Sequence, residues 1–131
     1  MIEMVLLNPS KETERKLRWS VWIEKDDAPF HLYIPQWRVP QPWPAHLYVQ
    51  IQAFEGDPSK FVPGVASPQE NNIRILLRPV CDHTRTRRYA PLEDSNEWQL
   101  GEPYIPSSLI PTDSHLLVIE VHWDLQSKGQ F

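Results

Sequence analysis

Hydrophobic and polar residues alternate along much of this chain. In residues 17–24, Leu17, Trp19, Val21 and Ile23 fall on one side, and Arg18, Ser20, Trp22 and Glu24 on the other. Trp22 is the one apolar member of the second set. Residues 46–54 repeat the pattern, with Leu47, Val49, Ile51 and Ala53 opposed to His46, Tyr48, Gln50 and Gln52. A third segment sets Ile73, Ile75 and Leu77 against Arg74 and Arg78. A period of two sends alternate side chains to opposite faces of a strand, so each segment predicts a half-buried β-strand rather than a helix.

Residues 30–34 read as a shorter strand of the same kind. The stretch 115–125 differs, because Leu116, Leu117, Val118 and Ile119 are apolar on both faces. It predicts a central strand covered on two sides, becoming one-sided after Glu120. Residues 2–7 predict a strand that can pair at a sheet edge, and residues 84–89 and 97–100 predict two further short ones.

Fourteen prolines in 131 residues punctuate these runs. Proline lacks an N–H and fixes φ, which closes helix interiors and most central-strand positions to it. Three stretches read as irregular: residues 35–44, extended and polyproline-like; residues 55–71, a long surface loop; and residues 91–113. Together these features predict one all-β domain over residues 1–131. Its architecture is an antiparallel β-sandwich or open barrel of about six to eight short strands with long Pro-rich loops.

Composition narrows the classes of function. A chain of 131 residues can bury one core without disulfides or metal. A net charge of −4 argues against a general polyanion binder, so nucleic acid is an unfavoured partner. Cys81 is the single cysteine, which leaves no internal disulfide to mark an oxidising compartment. The opening residues lack the basic leader and long apolar stretch of a signal peptide. No apolar run approaches the roughly 20 residues of a membrane helix. The expectation is a soluble cytoplasmic protein with no membrane partner.

Two clusters stand out as candidate chemistry. Arg74, Arg78, Arg85, Arg87 and Arg88 crowd into fifteen residues, and an acidic segment over residues 89–113 follows them. Guanidinium forks bind phosphate or carboxylate bidentately, so this is a candidate anion surface. The simpler alternative is that the basic strands lie beside acidic neighbours and are neutralised by them. Trp37, Arg38 and Trp43 fall in the proline-rich stretch and would make a stacking platform if exposed. The simpler alternative there is a loop folded back so that its tryptophans cap the core.

Signatures of catalysis are weak. Cys81 and Arg87 match the Cys-x5-Arg skeleton of the tyrosine-phosphatase loop, but the glycines and flanking residues of that loop are missing. His122 and Asp124 share a strand face, as in the iron sites of β-barrel oxygenases, with no marked second histidine. No dinucleotide, P-loop, nucleophile-elbow or zinc spacing occurs, and no cofactor or metal is expected. No family resemblance extends beyond these few residues.

The sequence therefore predicts a binding module for a protein or an anionic ligand. Its candidate surface comprises Trp37, Arg38, Trp43, Arg74, Arg78, Arg85, Arg87 and Arg88. A homodimer formed through an edge strand such as residues 2–7 is compatible with it. The rival readings are a small enzyme using Cys81 with Arg87 or His122 with Asp124, and a single-strand nucleic-acid binder.

Overall fold

The structure, a computed structural model, describes residues 2–92, 99–111 and 115–124. Its regular elements are eight strands: β1 (Ile2–Glu12), β2 (Lys16–Ile23), β3 (Ala28–Pro35), β4 (Leu47–Phe54), β5 (Asn72–Asp82), β6 (Thr86–Pro91), β7 (Tyr104–Pro106) and β8 (Leu116–His122). All pairings are antiparallel, and the strands form one sheet in the order β3-β2-β1-β4-β8-β5-β6-β7. The sheet curls into a nearly closed barrel, so of the two predicted architectures the open barrel is the one observed. No helix among the described residues is long and apolar enough to cross a membrane.

The alternation seen in the sequence maps onto the two faces of this sheet. Leu17 and Trp19 of β2, Leu47, Val49 and Ile51 of β4, and Ile73 and Leu77 of β5 all lie in the core. Phe30, Leu32 and Ile34 of β3 join them, and the Trp19 indole N–H donates to the Pro44 carbonyl at 3.1 Å. Strand β8 sits between β4 and β5. Leu117, Ile119 and Val121 face the core, and Val118 is buried from the other side. The cover on that side comes from the segment between β4 and β5, where Phe61 stacks edge-on against Phe54 and lies under the Arg74 guanidinium at 4.3 Å. Pro58, Phe61 and Pro63 enclose a small cleft of about 50 Å³ with Leu76, Pro91 and Leu92. That is why residues 116–119 are apolar on both faces while Glu120 and His122 are not.

Strand β1 departs from the simple edge role. Its first half, Ile2 to Leu7, pairs with β4, and its second half pairs with β2 from Asn8↔Ser20 onward. A register shift between Pro9 and Lys11 follows inside the part paired with β2. Residues 2–7 thus lie inside the strand order, paired on the β4 side, and the terminal strands of the sheet are β3 and β7. The proline-rich stretch after β3 also differs from the expectation, because Gln36–Arg38 turns as a 3₁₀ helix before the chain runs on irregularly. Of the expected short strands, residues 86–91 form β6, while the one over residues 97–100 lies partly outside the described residues.

The seam between β3 and β7 is held at its two ends. At one end the Gly101 N–H donates to the Tyr33 carbonyl at 3.0 Å. At the other, the Asp26 carboxylate accepts from the Ser108 N–H at 3.1 Å and from its hydroxyl, while Arg85 reaches the Asp27 carbonyl at 3.2 Å. Pro29 and Pro35 stand at alternate positions of β3, and both are residues with no N–H to offer a further strand.

Candidate functional site

The predicted surface does not assemble as one patch. Arg38 is fully buried. The 3₁₀ turn carries it into the end of the barrel, where Nε donates to Gln99 Oε1 at 2.6 Å and Nη1 to the Glu70 carbonyl at 2.9 Å. Nη2 reaches the carbonyls of Val65 at 3.4 Å and of Asn72. Its guanidinium also lies 5.2 Å from the Trp123 ring centre. Burial lowers its pKa to about 10, so it stays protonated at neutral pH. This is a structural staple tying residues 65–72 to the barrel end, and it leaves no fork for a ligand. Trp43 packs half-buried against the core, as the capping alternative has it, while Trp37 is 43 % exposed.

The arginines meet acidic partners. Arg74 pairs with Glu120 across the β5–β8 ladder at 2.9 Å and donates to the Val62 carbonyl at 2.7 Å. Arg85 lies 3.5 Å from the Asp27 carboxylate, Arg87 2.5 Å from Asp82, and Arg88 3.5 Å from Glu102. The bond to Asp82 is also the main reason the Arg87 pKa is raised. Arg78 is exposed, with no ion pair among the described residues. Arg85 lies in the turn before β6, so it makes no two-pronged clamp with Arg87.

The enzyme candidates fall on unsuitable backbone. Cys81 and Asp82 end β5, and a tight turn closed by the His83 N–H to the Thr86 carbonyl leads straight into β6. A phosphate cradle needs converging N–H groups at a helix start, and this hairpin has none. The exposed Cys81 thiol lies 3.4 Å from His83 Nε2, and Arg87 turns to Asp82. His122 lies 3.3 Å from Glu120 on the outer face of β8. Among the described residues no three His, Cys, Asp or Glu side chains gather as metal ligands.

The exposed large apolar side chains gather on neighbouring strands. Met4 and Leu6 of β1 are 68 % and 42 % exposed, Trp22 of β2 is 54 % exposed, and Tyr48 of β4 is 49 % exposed. Leu6 pairs directly with Tyr48, and Met4 with Gln50 beside it. Trp22 lies two residues beyond Ser20, the last β2 residue paired with β1, and it pairs with exposed Pro29 of β3. These residues stand on four strands that are successive in the sheet order, β3-β2-β1-β4. Isolated exposed apolar residues are ordinary, whereas adjoining large ones mark an interaction surface. Only Trp22 betrayed it in the sequence, as the apolar residue on a polar strand face. Tyr48 joins Met4 and Leu6 only through the pairing of β4 with β1. No family model, curated protein or solved structure matches the chain.

Proposed function

We propose that this protein is a binding module for another protein, docking through the outer sheet face of Trp22, Leu6, Met4 and Tyr48. The observation that carries the reading is that four large exposed apolar side chains stand on the outer faces of three neighbouring strands, with Leu6 directly opposite Tyr48. Such a surface resembles the apolar centre of an interface more than a solvated strand face, with Asn8, Ser20 and Gln50 as a polar rim. Tryptophan and tyrosine are also the residues that most often anchor interfaces. The anionic-ligand reading has less behind it, because Arg74, Arg85, Arg87 and Arg88 already face carboxylates.

Placing a photo-cross-linking amino acid at Tyr48, and for comparison at exposed Arg78, tests the proposal in the source cell. A discrete adduct with one other protein at Tyr48, abolished by Leu6→Lys and absent at Arg78, is the expected result. The same adducts at both positions would reject this face. A self-adduct at Tyr48 would replace the foreign partner with a second copy.

A further inference from the structure

A groove of about 460 Å³ runs along the outer side of the β3–β7 seam, lined by Pro29, His31, Tyr33, Thr86, Glu102 and Tyr104. That volume is in the range of small-molecule sites. One wall is a strand face, His31 and Tyr33 of β3, and the other carries Tyr104 of β7, so three rings border a single cleft.

The protons around His31 can be placed by counting. Arg18 Nε lies 2.9 Å from Ser10 Oγ, Ser10 Oγ 3.1 Å from the Arg18 carbonyl and 2.8 Å from Ser20 Oγ, and Ser20 Oγ 2.5 Å from His31 Nδ1. Each hydroxyl carries one proton, and a carbonyl can only accept. All four contacts are hydrogen bonds in one arrangement only. Ser10 donates to the Arg18 carbonyl, Ser20 donates to Ser10, and His31 Nδ1–H donates to Ser20. His31 Nε2 is then a bare acceptor on a ring that borders the groove.

The charges at the rim set what can enter. Arg18 is engaged with Ser10, and its Nη1 lies 3.5 Å from the Tyr33 hydroxyl. Arg88 faces Glu102. Both guanidiniums are partly engaged, the Glu102 carboxylate that lines the groove opposes an anion, and the Arg18 charge beside His31 opposes a cation. Burial and that same charge hold the His31 pKa below its ordinary value, so the ring is neutral at pH 7.

We propose that this groove binds a small, planar, uncharged heteroaromatic ring that donates an N–H to His31 Nε2 and lies against Tyr33 and Tyr104. The groove adjoins the protein-docking face at Pro29, but the proposal does not depend on that face. Indole is the probe, and 1-methylindole, which has the same shape and no N–H, is its control. Titration of the labelled protein, followed by proton–nitrogen correlation spectra, reads both the site and the tautomer.

The free protein should show His31 protonated at Nδ1, the less common neutral form, with Nε2 moving on addition of millimolar indole. Signals of Tyr33 and Tyr104 should shift with it. Loss of the donor in 1-methylindole, or of the acceptor in His31→Phe, should weaken binding roughly tenfold, the equivalent of one hydrogen bond. Protonation at Nε2 in the free protein, no shift at groove residues with indole, or equal affinity for the two probes would each overturn the assignment.

Discussion

Replacing Arg38 with methionine isolates the staple at the barrel end, because the apolar stem is kept and only the guanidinium is lost. Four acceptors lose their donor: Gln99 Oε1 and the carbonyls of Glu70, Val65 and Asn72. Glu70 and Val65 lie on exposed chain and can turn to water, whereas Gln99 is buried and the Asn72 carbonyl sits at the start of β5. Two acceptors left unsatisfied cost about 1–3 kcal/mol each, and relief of the buried guanidinium's desolvation offsets part of that. The net loss should be about 2–4 kcal/mol. For a chain of this length that corresponds to a fall in Tm of roughly 10 °C. Urea unfolding followed by far-ultraviolet circular dichroism reads the change. Arg38→Lys should recover little of the loss, because a single ammonium cannot serve acceptors spread around a planar fork. A midpoint equivalent to less than about 1 kcal/mol of loss in Arg38→Met would refute the staple and return Arg38 to the list of ligand-binding candidates.

Other consequences are equally specific. Because the folded-state pKa of His31 lies below that of the unfolded chain, the unfolded state takes up the proton first. Stability should therefore fall as pH drops below about 6.5, and His31→Gln should make that fall shallower in urea titrations at pH 7 and 5. In Gly64→Ala the new Cβ would lie 3.3 Å from the Arg74 backbone nitrogen, beside the Gly64 N–H bond to the Arg74 carbonyl. The connection must shift, and a cost of about 1 kcal/mol should appear in thermal melts. Asp26→Ala removes the acceptor for Ser108 and should speed amide exchange at Ser108 while leaving β4 and β8 protected, since the seam is the least tied part of the barrel.

The parts of this structure legible in the sequence are those set by local periodicity. Residues 47–54 announce a half-buried strand because neighbouring side chains alone fix their faces. Leu116 to Ile119 announce a strand buried on both sides, although Phe61, which packs against Phe54 and Arg74 on the strands either side, gives no hint of where it will lie. Arg38 was illegible, since a Trp-Arg pair among prolines looks exposed until the chain turns it into the barrel end. The neutralised arginines were legible in kind but not in detail. Of their four partners only Glu102 comes from the acidic segment expected to provide them, while Glu120, Asp27 and Asp82 are supplied by strand order and by turns. The apolar band and the groove both depend on which strands become neighbours, information that period two does not carry.

Calorimetric titration of the partner recovered by cross-linking at Tyr48 would decide whether the outer face of β2, β1 and β4 is where this protein meets another. Trp22→Ala combined with Leu6→Lys should cost more than about 3 kcal/mol of binding, over a hundredfold in Kd, with folding stability nearly unchanged and Trp37→Ala neutral. Undiminished affinity in that double variant, or a comparable loss from Trp37→Ala alone, would contradict it.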